Sequence, residues 1–408
     1  MASPTNDESD VSLQLYSEIH SSLLNSIATR RPILTHLNLD TSWFLQIPRP
    51  ASAVKRTGRA YYNILIDPWF KGGQSDVASW FSQQFHATPS AVQSILELED
   101  LARESERLAW EERTGGEGMR PGHLEDDGEC ETLIDAVAVS HEFTDHCHKD
   151  TLLEVSPNVP VFAIKEAAAL ITTWKHFHTV VTVNAFGTEG NEDWRATSLP
   201  PLPDWIGISR LLQTDDVLNY HAALLITFNN GHSNHQTPKP TPLSSKKPQP
   251  KKRPHNAIIE TDETTDSAEA ILYTPHGIHA DDLTSIPSAN PPLKTLAFLH
   301  GLHNVRVGTA SGRTALQSNL GAHNGLKAQR LLKAKYWIGT HDEVKQGGGI
   351  VAFFLQRDVL TIKDALELEA KNRAQGDEGV KAELEQVLDS FEGTNWIDLG
   401  NGESRVLV

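Results

Sequence analysis

The segment that indicates how this chain folds is LIDAVAVSHEFTDHCH, residues 133–148. Its first seven residues are mostly apolar and have the length of a strand buried inside a covered sheet. Metal-ligand side chains follow at once, on the loop after the strand: His141, Asp145, His146 and His148. A single buried histidine is more often structural than a ligand. Three imidazoles and one carboxylate within eight residues instead favour a site for a metal ion such as Zn²⁺.

Strand and helix patterns alternate on both sides of this segment. PVFAI (160–164) and HTVVTV (178–183) are β-branched runs, and KEAAALITTWKHF between them has helical spacing. Upstream, SWFLQI and AYYNILI are predicted to pair antiparallel, and the second strand ends at Asp67, before a proline. The alternation predicts an α/β domain with helices packed on sheets. Further strands are predicted in HAALLITF (221–228), AILYTP (270–275), TLAFLHGL (295–302) and GIVAFFL (349–355).

The loop after the buried strand resembles the metal loop of the metallo-β-lactamase-fold superfamily. That family has His-x-His-x-Asp-His after a strand, whereas this chain has His141-x-Phe143-x-Asp145-His146. The resemblance covers about residues 40–360. It is greatest to fungal β-lactamase-like proteins and, more distantly, to the ascorbate-phosphate lactonase-like branch.

Four other positions are similar to family motifs in the same chain order. Asp67 ends an earlier strand, as the family's first motif does, and the resemblance implies that it orients the metal loop from behind the ligands. His221 begins a later strand, like the family's third histidine motif. His341, in WIGTHDE, looks like the last histidine motif. His276 stands where the family has an aspartate that bridges two metals.

The resemblance implies a four-layered αβ/βα sandwich, in which two mixed sheets lie face to face with helices outside. We expect residues 1–39 to be an N-terminal helical extension, 40–360 the metallo-β-lactamase-like domain and 361–408 a C-terminal helical segment. The domain would carry an acidic insertion at about 97–131, with 13 Asp and Glu against 4 Lys and Arg. A solvated helix and loop explains that charge more simply than an acidic interaction surface. A second, Pro- and Lys-rich insertion at about 231–266 is predicted to be disordered.

The departures from the family pattern decide the predicted number of metal ions. Phe143 removes an imidazole from the family's first metal site, and His276 offers a neutral ring in place of the bridging carboxylate. We therefore predict one ion, Zn²⁺ or another divalent metal, with His148 as a spare ligand that could compensate for Phe143. Its predicted ligands are Asp145, His146 and His341, with His276 as a fourth. The residues predicted to converge on one pocket are His141, Asp145, His146, His221, His276 and His341.

Two functions are consistent with this set of residues. A metal ion with an open coordination position lowers the pKa of bound water to about 7, and the resulting hydroxide can attack a carbonyl or phosphoryl centre. The first function is therefore hydrolysis of a small ester, lactone or phosphate-bearing substrate, with Asp145 as the catalytic residue that orients the water. The alternative is a catalytically inactive member of the same fold that acts as a binding or structural protein. His300 and His303, in LHGLH, are expected to be structural or to line the pocket.

Composition limits the partners of the protein. The 408 residues include 36 Lys and Arg against 53 Asp and Glu, a net charge of −17, which disfavours nucleic-acid binding. No apolar run approaches the ~18 residues of a membrane helix, so no membrane association is expected. The partner expected from the hydrolase function is a small-molecule substrate. Cys130 and Cys147 are too few for a disulfide scaffold, which favours a reducing compartment. We expect a cytoplasmic protein, although KKPQPKKR (246–253) has the composition of a nuclear import signal.

Overall fold

The computed structural model has two large mixed sheets, two small sheets and a set of helices. The predicted disordered insertion and the second half of the predicted acidic insertion lie almost wholly outside the described residues. The residues described are 20–76, 78–116, 132–188, 190, 192–216, 220–231, 266–309, 313–373 and 393–408.

The two large sheets contain most of the strands. The first comprises β1 (Ile33–His36), β2 (Trp43–Pro48), β3 (Tyr61–Ile66), β5 (Ala136–Val139), β6 (Val161–Ala163), β7 (Val180–Thr182) and β18 (Ser404–Val406). The second comprises β8 (Ile206–Leu212), β9 (Ala222–Phe228), β10 (Ala268–Thr274), β11 (Leu293–His300), β14 (Tyr336–Ile338) and β17 (Trp396–Ile397). The predicted antiparallel pair is confirmed: β2 pairs with β3 from Trp43↔Ile66 to Pro48↔Tyr61.

The strands of the two small sheets lie between strands of the large sheets along the chain. One comprises β12 (Asn304–Gly308), β13 (Thr314–Leu320) and β16 (Leu355–Asp358), and the other pairs β4 (Gln83–Phe85) with β15 (Gln346–Gly348). The helices are α1 (20–29), α2 (Ala51–Thr57), α3 (Ile95–Thr114), α4 (Lys149–Leu152), α5 (Lys165–Thr173), α6 (Gly321–Leu332), α7 (Ile350–Phe354) and α8 (Ile362–Arg373), with 3-10 turns at Trp194–Thr197 and Ala280–Leu283. Within the described ranges, every helix is too short or too polar to span a lipid bilayer.

The predicted four-layered αβ/βα sandwich is confirmed. One continuous apolar core joins the facing sides of the two large sheets, where Leu45 and Ile64 of the first share a cluster with Ile226 and Tyr273 of the second. Helices α3 and α5 pack on the first sheet. A separate core lies between the other side of the second sheet and helices α6 and α8. Burial of apolar side chains on both sides of each sheet is what holds the layers together.

The strand directions determine where the metal loop lies. In the first sheet β3 and β5 run parallel, so the residues after both strands emerge at the same edge. In the second sheet β10, β11 and β14 also run parallel, while β9 runs antiparallel to β10 and therefore begins where β10 ends. Polar residues that follow β3, β5, β10 and β14, or precede β9, are thus brought to one edge of the sandwich.

The flanking segments differ from the expected helical extensions. Helices α1 and α8 lie within 1–39 and 361–408, but β1 also pairs with β2 and β18, and β17 pairs with β14. Both chain ends therefore complete the large sheets. Strands of two to four residues are too short to show a periodic pattern, and their neighbours rather than their own sequence hold them extended.

The first part of the acidic segment forms helix α3, whose Leu98 and Ala102 are buried against the first sheet while its acidic residues are half-buried or exposed. One further expectation is corrected by the structure. The run GIVAFFL, expected to be one strand, forms α7 followed by β16. Helix α7 has no buried residue, so its apolar composition does not report a core strand.

Replacement of residues 232–265 by a short Gly/Ser linker should leave the melting temperature within about 2 °C of the wild-type value. Phe228 and Glu269 are paired neighbours in β9 and β10, so a short connection suffices to join the strands. The Pro- and Lys-rich composition also predicts little contribution to the core. Circular dichroism melting curves of the two proteins provide the measurement. A fall of more than about 5 °C would show that the segment packs on the domain.

Candidate metal centre

Five buried side chains meet at the edge where the strand ends converge. His141, His146 and His276 form one group, and Asp145, His146 and His341 form a second. Within each group, one potential ligand atom per residue lies within 4.8 Å of the others. Because His146 belongs to both groups, the five side chains make one continuous cluster. Its members follow three separate strands, β5, β10 and β14, and span 200 residues from His141 to His341.

Asp67 holds the metal loop in place. It follows β3 with a left-handed φ of 42°, which is uncommon for a non-glycine residue and is typical of strained functional positions. Its Oδ1 accepts the main-chain N–H of Ser140 at 2.7 Å, and its Oδ2 accepts the Ser140 hydroxyl and the Nδ1–H of His146, the latter at 2.7 Å. These bonds orient the His146 ring. They also place the proton on Nδ1, so that Nε2 keeps its lone pair for a ligand.

Asp40 does for His341 what Asp67 does for His146. His341 also has a left-handed backbone, with φ of 59°, and its N–H donates to the Asp40 carbonyl at 2.8 Å. Its Nδ1–H donates to the Asp40 carboxylate at 2.9 Å. The Nε2 atom is again left without a proton and lies 3.8 Å from Oδ2 of Asp145. Carboxylate-supported imidazoles of this kind are characteristic of histidines that bind metals.

The remaining two histidines of the cluster differ in whether their Nε2 atom is available to bind a metal ion. Nε2 of His276 lies 3.1 Å from Nε2 of His146, and its Nδ1 lies 3.4 Å from the side-chain oxygen of Asn319. Its Nε2 therefore faces the cluster. Nε2 of His141 instead donates to the main-chain carbonyl of Tyr220 at 3.0 Å, since a carbonyl can only accept. That bond competes with metal ligation by His141, so His276 is the better fourth ligand.

A buried lysine that the sequence analysis missed completes the cluster. Nζ of Lys345 lies 2.7 Å from Asp40 and 2.8 Å from Asp145, and its side chain is 5% exposed. Burial lowers the pKa of Lys345, but the two carboxylates outweigh burial and raise it. Burial opposes ionisation of Asp145, yet Lys345 and the nearby histidines hold the pKa of that carboxyl well below its usual range. A lysine in the sequence suggests a surface residue, so no sequence signal distinguishes Lys345.

The charges at the cluster fit one divalent cation. Asp40, Asp67 and Asp145 are buried carboxylates, and Lys345 is the ammonium group that faces two of them. Neutral imidazoles therefore leave two uncompensated negative charges, which a dication would balance. Burial lowers the pKa of His146, but Asp145 and Asp67 outweigh burial and raise it, as expected where negative charge is in excess. Three imidazoles and one carboxylate are also a donor set that Zn²⁺ and similar ions accept.

His221 is the predicted ligand that the structure does not bring into the cluster. It lines a neighbouring cavity with His279 and Asp216, and its N–H donates to the Asp216 carboxylate. Tyr220, one residue earlier, takes the position that faces the cluster. The chain bends at His221, just before β9, and the Tyr220 ring lies 5.3 Å from the ring of His276.

The other histidines singled out in the sequence lie outside the cluster. His148 caps helix α4, where its side chain accepts the N–H of Thr151. It therefore does not take the place of the histidine that the family motif has at the position of Phe143. His300 bonds through Nδ1 with the carbonyl of Gly301 at 2.6 Å. His303 accepts a hydrogen bond from Arg357 at 2.9 Å.

A small cavity of about 110 Å³ opens onto the metal cluster. Asp145, His276 and His341 lie on its wall, and the rings of Phe143 and Tyr220 lie beside them, 4.6 Å apart between centroids. Phe143 thus occupies the place of the missing histidine with an apolar surface. The small sheets and α7 supply Gln84, Val305, Val307, Leu316, Ser318, Asn319, Val351, Leu355 and Arg357, and the remaining lining residues are Gln74, Asp76, Ser82 and Lys345.

Comparison with known proteins gives only distant structural matches. No protein-family model and no curated protein matches the chain. The solved structures that it resembles include a possible metal-dependent hydrolase from Veillonella parvula, with 10% identity, a TM-score of 0.44, and coverage of 92% of this chain and 100% of that one. Isothiocyanate hydrolase from Delia radicum gut bacteria has 11% identity, a TM-score of 0.44 and coverage of 92% and 99%. The metallo-β-lactamase fold protein YhfI from Bacillus subtilis has 10% identity, a TM-score of 0.37 and coverage of 92% and 99%.

These values are too low to decide what this chain does. Identities of 10–11% with TM-scores below 0.5 leave the site to be argued from its own residues. The arrangement of the described layers supports the sandwich predicted from the motifs. The fungal subfamily stays a prediction.

Substitution of Lys345 by methionine should change stability and metal affinity in opposite directions. Loss of the ammonium leaves Asp40 and Asp145 unpaired, so the metal-free protein should lose about 3–5 kcal/mol of unfolding free energy. A divalent cation should then bind at least about tenfold more tightly, because the repulsion between it and the ammonium disappears. Denaturant unfolding of the metal-free protein and competition with a chelator provide the two measurements.

Lys71→Met is the matched control for this substitution. Lys71 also pairs with a carboxylate, Glu154 at 3.2 Å, but its side chain is 57% exposed. Exposed pairs contribute about 0.2–1 kcal/mol, so stability and metal affinity should both stay close to wild type. A Lys345→Met protein that loses stability and metal affinity together would show that Lys345 only supports the fold.

Proposed function

We propose that the protein is a metal-dependent hydrolase that uses one divalent ion, Zn²⁺ in the simplest case. Asp145, His146, His276 and His341 are its proposed ligands. The observation that carries the proposal is the cluster in which two imidazoles have Nδ1 bonded to buried carboxylates and Nε2 directed inward. Such an arrangement serves no need of the hydrophobic core, because burial of several carboxylates and imidazoles together is costly unless a cation is bound.

The chain's own residues would prepare the site for attack by water. When bound, the ion supplies Lewis-acid polarisation of a carbonyl or phosphoryl oxygen and lowers the pKa of water. Lys345 holds Oδ2 of Asp145 at 2.8 Å, which leaves Oδ1 without a hydrogen-bond donor among the described residues. A carboxylate oxygen has two lone pairs, so Oδ1 could both hold the ion and accept a hydrogen bond from the attacking water. Because the pKa of Asp145 lies well below its usual range, this carboxylate orients the water rather than removing its proton completely.

The cavity limits the substrates that fit. Its volume of about 110 Å³ suits a small molecule rather than a polymer. The rings of Phe143 and Tyr220 offer an apolar surface beside the cluster, against which the non-reacting part of a substrate can pack. We propose a small ester, lactone or phosphate-bearing compound as the substrate class. Reaction in the cytoplasm remains part of the proposal, on the basis of composition.

Elemental analysis after exhaustive dialysis tests the metal centre. Wild-type protein should retain about one divalent metal ion per chain. Asp145→Asn should lose most of its metal, because this change removes the charged ligand while it keeps the side chain's size. His141→Ala should lose less, since Nε2 of His141 is bonded to the Tyr220 carbonyl. His221→Ala, which removes a histidine outside the cluster, is the control and should retain the wild-type amount.

Hydrolysis assays test the reaction. Metal-loaded wild type should cleave members of a panel of nitrophenyl esters, lactones and nitrophenyl phosphates, and a chelator should abolish that activity reversibly. Wild type that holds no metal with its fold intact would contradict the hydrolase and support the catalytically inactive alternative. Two tightly bound ions per chain would contradict the assignment of one metal, and would require that His141 release the Tyr220 carbonyl.

A further inference from the structure

The cavity is also lined by a charged residue outside the metal cluster, Arg357. Neither the packing of the fold nor the metal cluster explains why an arginine lies there. Arg357 lies on β16, paired in register with Val305 of β12, and its side chain lines the same cavity as Asp145 and His341. Among the described residues its guanidinium makes one hydrogen bond, from Nη1 to Nδ1 of His303 at 2.9 Å. No described residue accepts a hydrogen bond from Nε or Nη2, and neither is a fully buried atom without a partner, so both keep some access to solvent.

Arg357 differs from the arginine beside it in having no ion pair with a described carboxylate. Arg306, on the adjacent strand, pairs with Asp358 at 2.7 Å. The carboxylates nearest to Arg357 are already engaged. Asp342 accepts the N–H groups of Leu302 and His303, at 2.7 and 2.8 Å.

The other two acidic neighbours of Arg357 are engaged in the same way. Asp40 faces Lys345 and His341. Glu343 accepts from His86 at 2.7 Å and from the main chain of Ala87 at 2.8 Å. These carboxylates act on Arg357 from a distance, but none of them forms an ion pair with it, so the half-buried guanidinium lines the cavity without a direct carboxylate partner among the described residues.

The surroundings of Arg357 hold it in place for a ligand. Burial and the adjacent guanidinium lower the pKa of His303 to about 4, so His303 is neutral at pH 7 and accepts from Nη1. Burial also lowers the pKa of Arg357, although Asp342, Asp40 and Glu343 oppose that shift. The free edge of a guanidinium presents two N–H donors in a plane, which match the two oxygens of a carboxylate or phosphate.

We propose that Arg357 binds an anionic group of the substrate, a carboxylate or a phosphate, while the bond to be cleaved lies at the metal cluster. This inference rests on the proposed function, since it names the substrate class of the same site. Val305, Leu316 and Leu355 lie with Arg357 in the cavity lining. The proposed substrate is therefore a small ester, lactone or phosphate-bearing compound with an anionic group at one end. A short apolar segment would separate that group from the carbonyl or phosphoryl group that reacts.

Binding of simple anions to the metal-loaded protein tests this proposal. The probes are inorganic phosphate, acetate and, as the neutral counterpart of acetate, acetamide, with affinities from isothermal titration or ligand-observed NMR. Arg357→Gln should weaken phosphate or acetate binding at least about tenfold, because a charged, paired hydrogen bond is lost. Arg357→Lys should keep part of the affinity. Acetamide binding should not change in any variant.

Arg306→Gln is the matched control, because Arg306 lies on the neighbouring strand but is already paired with Asp358. Its anion affinities should stay within about twofold of wild type. Whichever of phosphate and acetate shows the larger loss in Arg357→Gln identifies the kind of oxyanion. Equal affinities in wild type and Arg357→Gln, at equal metal content, would overturn the proposal and show that anions bind only at the metal.

The same experiment separates this inference from the proposed hydrolase. Metal content is measured for every variant before titration. If wild type holds no metal, the hydrolase proposal fails. Anion binding that is then present in wild type and absent in Arg357→Gln would still establish Arg357 as an anion site.

Discussion

Burial of three carboxylates at one edge of the sandwich is the constraint on which the site depends. Asp40, Asp67 and Asp145 have almost no access to solvent, so each requires a partner that replaces its hydration. Lys345 and the Nδ1–H groups of His146 and His341 supply those partners. The same bonds leave the Nε2 atoms of both histidines unprotonated and directed inward. The same hydrogen bonds therefore stabilise the buried carboxylates and orient the histidines as metal ligands.

The sheets supply the geometry that this charge cluster needs. Parallel strands place Asp67 and the metal loop side by side in the first sheet, and His276 and the loop of His341 in the second. The apolar core between the sheets brings the two edges into contact. Left-handed backbone at Asp67 and His341 turns the chain sharply just after each strand. Those two strained residues are stabilised by the hydrogen bonds and packing around them.

In the proposed chemistry, two separate groups of the protein act on the two ends of one small substrate. The metal cluster would act on the bond that breaks, and Arg357 would fix the end that does not react. Orientation of this kind lowers the barrier because the substrate's freedom is lost on binding rather than in the reaction step. The metal cluster and Arg357 line the same cavity, although the strands that carry them belong to different sheets.

The sequence by itself determined the fold class and most of the cluster. Apolar runs followed by polar residues predicted the ends of three buried strands, and Asp67, the metal loop and His341 lie just after them. A change from apolar to polar side chains is expected where a strand leaves the core. The sequence could not determine the short edge strands at both chain ends, which neighbours hold extended. Tertiary structure alone decided that Tyr220 rather than His221 faces the cluster, because the bend at His221 sets the directions of the two side chains. It also decided that Lys345 is buried, because an ammonium group enters the interior only where the fold has already brought two carboxylates together.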